Sequence, residues 1–475
     1  MMTRSVLRWF LVLTLVLGLV VVFWGCGSSS GGGGGDDDTG DDDTDDDELP
    51  PDCTDEDGDN YSPDGGDCGP IDCDDNDPNT HPGAEELCDG KDNNCDEEIE
   101  TECWQIVAVD NAAKTGRYPS IWFNPLNDYP AVAYVDVSGK GDKASYQLRF
   151  AYYDGEAWHT EVVNPEAYDA KFPTLRISDS GTYYIAYQRG GIVDYIVMAS
   201  GSPGNWTNEI VKKGLMASKS WPSLVLDAQG NPAVFYFDGA VFGDHGLVCA
   251  RKMSGSWNYT VVDEDAADSY YEQGARTYAV TAPDGTVGVA YQHMRYEYDS
   301  GTDTYTYYYS LKYAQTQDFG SWKVEIVHSW GEDYPNVLTG VWSALAFVPA
   351  TNSAVISFLY GLPGGLEPGF AVREGDDNWS VYGWDFDFEV GEWPALAAVD
   401  NRGLFVYYDS TDVGLMLCDI DMSSYSGECE LLDGEDSSVG KWPSIAINSL
   451  GDPAIAYYDL TQTQLKVAWY RRFGK

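Results

Sequence analysis

The feature that most constrains the fold is an internal repeat that starts near Trp104 and continues to the end of the chain. Its clearest unit, residues 221–263, reads as four short strands, with a glycine turn at Gly230 between the first two. Seven such units follow one another at a mean spacing of about 54 residues. Four strands in about 50 residues are typical of one β-propeller blade. Aligned on a proline or its equivalent, the units are marked by Pro119, Pro173, Pro222, Thr277, Ser343, Pro394 and Pro443.

The two ends of the repeat region complement each other. The seventh unit lacks a fourth strand, whereas residues 104–110 have the fourth-strand pattern but precede the first unit. Because closure of a ring removes unpaired strand edges, we expect this N-terminal strand to complete the last blade. The sequence therefore predicts an all-β fold, with a seven-bladed β-propeller over residues 104–475. An open β-solenoid is the alternative, but it would need no displaced strand.

The repeat units resemble those of secreted bacterial propellers in their Pro-Ser, Gly-Asn-Pro and Tyr-Tyr-Asp segments. They are also distantly similar to sialidase-type propellers. Sialidases carry an Asp-box, Ser-x-Asp-x-Gly-x-Thr-Trp, in the hairpin between the third and fourth strands, and residues 154–158 and 254–257 lack that pattern. The resemblance thus implies the propeller fold but not sialidase activity.

The N-terminus is predicted to be a targeting segment rather than part of the fold. Arg4 and Arg8 precede an apolar run over residues 9–24, shorter than the roughly 20 residues of a membrane-spanning helix. Gly25 and Cys26 end the run and resemble the site read by bacterial lipoprotein signal peptidase. The resemblance implies a signal peptide over residues 1–25, lipidation of Cys26, and an extracytoplasmic protein anchored to the outer membrane or cell surface. An uncleaved signal anchor is the alternative, and it also places residues 27–475 outside the cytoplasm.

Acidic residues are concentrated between this segment and the propeller. More than half of the net charge of -51 lies in residues 36–102. Residues 26–50, rich in glycine, serine and aspartate, are predicted to form an extended, solvated linker. The overall charge argues against nucleic acid as a partner, because a polyanion would be repelled.

The cysteines indicate export to an oxidising compartment. Six of the ten fall within about 50 residues and predict a disulfide-stapled module, although fifteen pairings are open. These six are Cys53, Cys68, Cys73, Cys88, Cys95 and Cys103. Cys418 and Cys429 lie on adjacent strands of one predicted hairpin, which favours a further disulfide.

Residues 51–103 are predicted to form a loop-dominated metal-binding module. Asp55, Asp57 and Asp59 alternate around Gly58, so that their carboxylates converge on one ion as in calcium loops. Gly66 stands where an EF-hand loop has its closing glutamate, so this is not an EF-hand. A disulfide knot with incidental acidity is the alternative. The candidate ligands are Asp55, Asp57, Asp59, Tyr61, Asp64, Asp67, Asp72, Asp74, Asn76, Asp77, Glu86, Asp89, Asp92, Asn94 and Asp96.

Residues 57–61, 72–77 and 82–96 resemble the Asp- and Cys-rich metal-binding motif of bacterial surface proteins. That family is named for a methanotroph copper-binding surface protein, and its loops are similar to thrombospondin type 3 calcium repeats. The resemblance implies metal binding. Copper prefers cysteine, methionine or imidazole ligands, whereas carboxylates suit calcium, so we expect structural calcium. Its role would be to fold and stiffen a segment with almost no apolar core.

Two aligned columns of the propeller repeats fall on one predicted face, around the central channel. The first, just before the proline, is Tyr118, Phe172, Trp221, Arg276, Trp342, Trp393 and Trp442. The second, after the second strand, is Asp136, Arg189, Asp238, His293, Tyr360, Asp409 and Asp459. Such groups can hold a glycan or a peptide by stacking and hydrogen bonding. The alternative is that the aromatic residues are wedges between blades and that the aspartates form turns. As the ligand-binding face we take Arg189, Arg276, His293, Tyr360, Trp342, Trp393, Asp136, Asp238, Asp409 and Asp459.

These observations favour a non-enzymatic, monomeric surface lipoprotein with a calcium-stabilised stalk and a propeller that binds a glycan or protein ligand. The alternative is a secreted carbohydrate-active hydrolase or lyase on the same face. A glycosidase needs two carboxylates about 5–9 Å apart, and no pair in the aspartate column stands out. Metal scavenging by the acidic module is a third hypothesis.

Overall fold

The computed structural model describes residues 53–84, 91–96, 102–112, 114–139, 144–165, 169–190, 194–215, 220–238, 246–264, 275–362, 365–383, 393–409, 413–434 and 438–472. The chain divides into two compact units, residues 1–78 and 79–475. The predicted signal peptide, Cys26 and the linker lie outside the described residues. Across the described ranges, no helix has the length and apolarity that a transmembrane segment needs.

The described part of residues 1–78 is mostly irregular. It contains one 3₁₀ helix, Gly66–Cys68, and an isolated β-bridge between Ser62 and Ile71. A disulfide joins Cys53 to Cys68 and closes the loop that carries the alternating aspartates. This disulfide constrains a segment too polar to form a core of its own.

The described strands of residues 79–475 form seven sheets, and each sheet contains the four antiparallel strands of one blade. Blades 1 and 2 are β2–β5 (Arg117–Asn124, Tyr129–Ser138, Ser145–Tyr153, Trp158–Val162) and β6–β9 (Ala170–Ile177, Tyr183–Arg189, Asp194–Ser202, Asn205–Leu215). Blades 3 and 4 are β11–β14 (Ser223–Leu226, Pro232–Phe237, Leu247–Met253, Ser256–Asp263) and β15–β18 (Ala275–Thr281, Val287–Asp299, Thr304–Thr316, Lys323–Ser329), with the short strand β10 (Ser220–Trp221) parallel to β15. Blades 5 and 6 are β19–β22 (Thr339–Val348, Ser353–Leu362, Gly365–Gly375, Asn378–Gly383) and β23–β26 (Ala395–Val399, Arg402–Tyr408, Leu415–Asp421, Ser426–Asp433). Blade 7 is β27–β29 (Val439–Ile447, Pro453–Asp459, Gln464–Arg472) with β1 (Glu102–Asp110).

The ring is closed by the two ends of the propeller region, as the sequence predicts. Strand β1 pairs antiparallel with β29, with Trp104 opposite Tyr470 and Val107 opposite Val467. The first strand of each blade contacts that of the next, and β27 of blade 7 contacts β2 of blade 1. The all-β, seven-bladed propeller is therefore confirmed, and the open solenoid is excluded.

The Pro-Ser pairs of the repeat have a structural role at the centre of the ring. Ser120 Oγ of blade 1 accepts a hydrogen bond from Leu175 N–H of blade 2 at 3.0 Å, and Ser223 Oγ accepts one from Ala279 N–H at 2.7 Å. Ser444 Oγ of blade 7 accepts the N–H of Ile121 at 3.2 Å across the closure. Apart from the short β10–β15 pairing, the described inner strands of neighbouring blades do not pair as a sheet. These hydroxyls accept hydrogen bonds from backbone N–H groups that would otherwise be buried without a partner.

Three blades are locked to the preceding blade by a buried aspartate at the end of a fourth strand. Each carboxylate accepts the hydroxyl of a second-strand tyrosine and pairs with a third-strand base. In the first such group, Tyr134 donates to Asp110 at 2.6 Å, and Arg149 Nε lies 3.2 Å from the same oxygen. The equivalent groups are Tyr291, Asp263 and Lys312, and Tyr457, Asp433 and Lys466.

Two of the tryptophans that open fourth strands dock on glutamates of the preceding blade. Trp206 Nε1 donates to Glu161 Oε1 at 2.6 Å, and Trp379 Nε1 donates to Glu325 Oε2 at 2.8 Å. These tryptophans therefore hold blades together and contribute nothing to the channel face. A disulfide between Cys418 and Cys429 crosses the β25–β26 hairpin, where the two residues are directly opposite each other.

Candidate functional site

Six side chains of the first aligned column form a continuous series of ring contacts at the centre of the propeller. The ring centroids are 5.2 Å apart for Trp342 and Trp393, 5.3 Å for Trp393 and Trp442, and 4.5 Å for Trp442 and Tyr118. The series continues from Tyr118 to Phe172 at 4.8 Å and from Phe172 to Trp221 at 3.7 Å. The side chain of Arg276, which holds the seventh position, lies outside the described part of the chain. We call these six aromatic residues the aromatic mouth.

The backbone aims these rings at the channel at a conformational cost. Tyr118, Phe172, Trp342, Trp393 and Trp442 all have positive φ, between 49° and 65°. In four of these five blades, the register between the first and second strands shifts at the aromatic residue and the residue after it. A β-bulge therefore lies at these positions. Left-handed backbone is unfavourable for bulky residues, and bulges commonly re-aim a side chain beside a functional site. The strain indicates that ring placement matters at these positions.

Below the mouth the channel is narrow. Tyr118, Phe172, Trp221 and Trp442 line a cavity of about 70 Å³. Such a volume holds a few water molecules and no sugar ring. Deeper in the channel, the Arg176 guanidinium lies 4.3 Å from the Trp122 ring centroid and donates to the carbonyls of Leu175 and Ala279. A ligand of saccharide size would therefore lie on the mouth and not inside the channel.

Two residues of the aromatic mouth, Tyr118 and Trp342, have their polar groups in buried positions. Burial raises the pKa of Tyr118 to about 12, so its hydroxyl stays neutral under all ordinary conditions. Trp342 is 5% exposed, and its indole N–H has no acceptor among the described residues. An indole donor buried without an acceptor is costly, so an oxygen-bearing ligand would improve its environment.

The aspartates of the second column lie at the ends of second strands, and their carboxylates face the polypeptide. Asp238 pairs with Lys212 of blade 2 at 2.6 Å. Asp459 is 2% exposed and accepts the N–H of Gln462, while Asp409 is 1% exposed. Burial raises the pKa of Asp136, opposed by the nearby Arg149 guanidinium. Three of these four carboxylates are thus buried and serve the fold.

The residues that depart from the column pattern are not brought together. The Arg189 guanidinium lies 4.5 Å from the Tyr195 ring centroid, and Tyr360 contacts the rings of His328 and Trp330. His293 Nδ1 lies 3.1 Å from Ser310 Oγ in a separate groove of about 640 Å³ on blade 4. Within the described ranges these three side chains have different neighbours and form no common cluster.

Blade 4 extends beyond the face as a long hairpin of β16 and β17. One surface of the hairpin carries tyrosines, with Tyr296, Tyr298 and Tyr305 between 49% and 56% exposed. Tyr298 and Tyr305 are cross-strand partners with ring centroids 4.8 Å apart, and Tyr307 continues the stack. The rings of Tyr296, Tyr298, Tyr305 and Tyr307 are therefore neighbours on one side of the hairpin.

The alternating aspartates of the first loop converge as predicted. Asp55, Asp57 and Asp59 are half-buried, whereas the residues between them are exposed, and one oxygen of each lies within 4.8 Å of the others. One oxygen each of Asp57, Asp59 and Asp72 is buried without a hydrogen-bond partner. Burial, and then the Asp59 carboxylate, raises the pKa of Asp57. Buried, repelling carboxylate oxygens of this kind are typical of a cation-binding loop.

The remaining predicted ligands are distributed over several loops. Asp64 accepts the N–H of Thr54 at the loop edge, and Asp67 is exposed in the 3₁₀ helix. Asp72 and Asp74 lie in a second turn, in which Asp74 N–H donates to Asp72. The others described are Tyr61, Asn76, Asp77, Asp92, Asn94 and Asp96, of which Asp92 and Asn94 both accept the N–H of Asp96. Glu86, Asp89 and Cys88 lie outside the described residues, while Cys73, Cys95 and Cys103 are disulfide-bonded.

Residues 72–100 match the family model Cu-binding_MopE, described as "Putative metal-binding motif". The predicted resemblance is confirmed for these residues, and the Asp55–Asp59 cluster lies outside the match. A search of curated proteins gives no match.

Comparison with solved structures supports the propeller. The chain is similar to an ulvan lyase described as a new family of polysaccharide lyase, with a TM-score of 0.50, 13% identity, and coverage of 78% of this chain and 98% of that one. It is also similar to a protein of unknown function from Dyadobacter fermentans, with a TM-score of 0.46, 14% identity, and coverage of 79% and 100%. A "Hadza microbial sialidase" has a TM-score of 0.42, 13% identity, and coverage of 70% and 74%. At these identities the likeness concerns the fold alone.

Proposed function

We propose that this chain is an extracytoplasmic surface protein whose propeller binds a glycan at the aromatic mouth without transforming it. The observation that carries the proposal is the strained backbone of five mouth residues. A wedge between blades needs no left-handed backbone, because the docked tryptophans of the fourth strands join blades in ordinary strands. Rings held at such a cost suit stacking on the apolar faces of sugars.

The second column favours binding over catalysis. A glycosidase needs two accessible carboxylates about 5–9 Å apart. Asp238, Asp409 and Asp459 are buried, and Asp238 is neutralised by Lys212. The likeness in fold to a polysaccharide lyase keeps a hydrolase or lyase as the second candidate.

Replacing Trp393 with alanine is expected to weaken glycan binding about tenfold, since a central stacked aromatic commonly contributes more than 1 kcal/mol. The purified protein would first be screened on an array of neutral and acidic oligosaccharides, and the dissociation constant for the best one measured by calorimetry. Tyr259→Ala is the matched control, because Tyr259 is 54% exposed on an outer strand of blade 3. Equal losses in both variants, or cleavage of the arrayed sugar, would contradict the proposal.

The acidic module is proposed to bind calcium. Its described donors are carboxylates, and the cysteines described there are tied in disulfides, which leaves no thiolate for copper. Asp55, Asp57 and Asp59, joined by Asp72, would hold the ion. Bound calcium would neutralise their repulsion and stiffen the loop closed by Cys53 and Cys68.

Calcium is expected to bind with a dissociation constant of about 0.1–1 mM, typical of extracellular modules, and Asp57→Asn to weaken it about tenfold or more. Glu56→Gln is the control, because Glu56 is the exposed neighbour in the same loop. Calorimetric titration of the full chain with calcium, and with copper(II) in parallel, checks this. Tighter copper binding, or no difference between the variants, would overturn the assignment.

Lipid anchorage at Cys26, extracytoplasmic location and a monomeric state belong to the same proposal. Their support is the sequence: the apolar run that ends at Cys26, the clustered cysteines and the acidic linker. A disulfide-stapled module is consistent with an exported protein, because disulfides persist in oxidising compartments. A tether would let the propeller reach glycans in solution or on a surface.

A further inference from the structure

We infer that the glycan taken by the aromatic mouth is acidic, with a carboxylate or sulfate group bound by Arg117 and Lys441 beside Trp442. This inference rests on the proposed function and deepens it. It comes from the charges at the mouth rather than from the rings.

Lys441 lies among aromatic rings with no acidic partner. Its ammonium is 4.7 Å from the centroid of Trp393 and 5.8 Å from that of Trp442. In the part of the chain that the structure describes, this side chain forms no ion pair and no hydrogen bond. Ring faces attract the charge, but they do not accept its three N–H donors.

Arg117 also lies beside Trp442. Its guanidinium lies 5.9 Å from the Trp442 centroid and 5.7 Å from that of Tyr458. The Nε atom of Arg117 is buried and has no acceptor among the described residues. Both cations are thus within 6 Å of the centroid of one half-buried ring, Trp442. Deeper in the channel, Arg176 also has no carboxylate partner in the described ranges.

Acidic residues far outnumber bases in this protein, with 78 aspartates and glutamates against 27 lysines and arginines. Most of the other partly buried bases in the described part of the propeller pair with carboxylates, although Lys114, Arg176 and Arg189 do not. The pairs include Arg149 with Asp110, Arg251 with Asp227, Lys312 with Asp263, Arg373 with Glu325, and Lys466 with Asp433. Two unpaired cations beside the same ring, amid an excess of acid, indicate an anionic group supplied from outside.

The chemistry of the mouth favours an acidic sugar over an acidic peptide. A pyranose carries its carboxylate or sulfate on the rim of a ring whose face stacks on an indole. Lys441 and Arg117 lie at the edge of such a stacking surface, on Trp442 and its neighbours. An acidic peptide offers charge but no flat apolar face to match the six rings.

The test compares matched probes on the purified protein: a galacturonic acid oligosaccharide with its methyl ester, and a sulfated dextran oligosaccharide with unsulfated dextran. Calorimetry is expected to show at least about tenfold tighter binding of an acidic form than of its neutral match. The two pairs of probes distinguish the two anions. A site for carboxylate should prefer the galacturonic acid oligosaccharide over its methyl ester, and a site for sulfate should prefer sulfated over unsulfated dextran. Poly-glutamate serves as an acidic peptide of the same charge.

The variant Arg117→Gln with Lys441→Gln is expected to lose this preference while it keeps the affinity for the neutral form within about twofold. Lys252→Gln, on an outer part of blade 3, is the control for the loss of one positive charge in each single variant. If the double variant does not fold, each single variant and competition by free galacturonate give the same comparison.

Equal binding of acidic and neutral forms overturns the inference and leaves the glycan proposal intact, whereas binding of neither overturns both. Poly-glutamate that binds as well as the sugar overturns the saccharide assignment.

Discussion

Replacing Asp110 with alanine is expected to lower the free energy of unfolding of the propeller by about 3–5 kcal/mol. Asp110 ends the closing strand β1 and is 7% exposed. It accepts the Tyr134 hydroxyl at 2.6 Å and pairs with Arg149 at 3.2 Å, both of which belong to blade 1. The alanine would leave a buried hydroxyl and a half-buried guanidinium without their acceptor, at the point where the ring is sealed.

Thermal and denaturant unfolding, followed by circular dichroism, measure this effect. Asp179→Ala is the control, because Asp179 is exposed in the turn between β6 and β7, and its loss is expected to change the free energy of unfolding by no more than about 0.5 kcal/mol. A similar unfolding curve for both variants would show that closure depends on β1 pairing and not on the carboxylate.

The repeat made the fold predictable because a blade is a local unit of four strands. The missing strand of the seventh unit and the extra segment at residues 104–110 could be matched by counting, and the pairing of Trp104 with Tyr470 follows from it. The contacts between blades could not be foreseen in this way. Ser444 and Ile121 are 323 residues apart, and only the closed ring makes them neighbours.

The position of the candidate site could be predicted from the sequence, but the backbone conformation, burial and pairing of its residues could not. The alignment identifies the aromatic column, yet the left-handed backbone of Trp393 and Trp442 has no signature in residue type. The aspartate column is equivalent to the aromatic column in sequence, and the burial of Asp238, Asp409 and Asp459 is a property of the folded chain. Whether Lys441 has an ion-pair partner depends on which side chains lie next to it in the folded chain, and the sequence does not give those neighbours. A base preceding an aromatic in three units, as in Arg117-Tyr118 and Lys441-Trp442, is the one signal that sequence reasoning missed.

The second large effect is expected at Glu325, which joins blades 4 and 5. Its carboxylate is 2% exposed and accepts hydrogen bonds from Arg373 at 2.7 Å and from Trp379 at 2.8 Å, with Lys323 at 3.0 Å. Burial raises the pKa of Glu325, but Arg373, Lys323 and Trp379 outweigh it and hold the pKa at about 2. We expect Glu325→Gln to lower the free energy of unfolding by about 2–4 kcal/mol at neutral pH.

The pH dependence gives this prediction its sharpest form. The folded pKa lies below the ordinary value of 4.5, so the charged carboxylate stabilises the fold above pH 4.5, and this stabilisation is lost as pH falls toward 2. The difference in melting temperature between the natural protein and Glu325→Gln should therefore be constant above pH 5 and shrink below pH 4.5. Glu332→Gln, at a side chain 83% exposed, should show neither effect. A difference that persists unchanged to pH 2 would mean that side-chain packing, and not the charge, joins these blades.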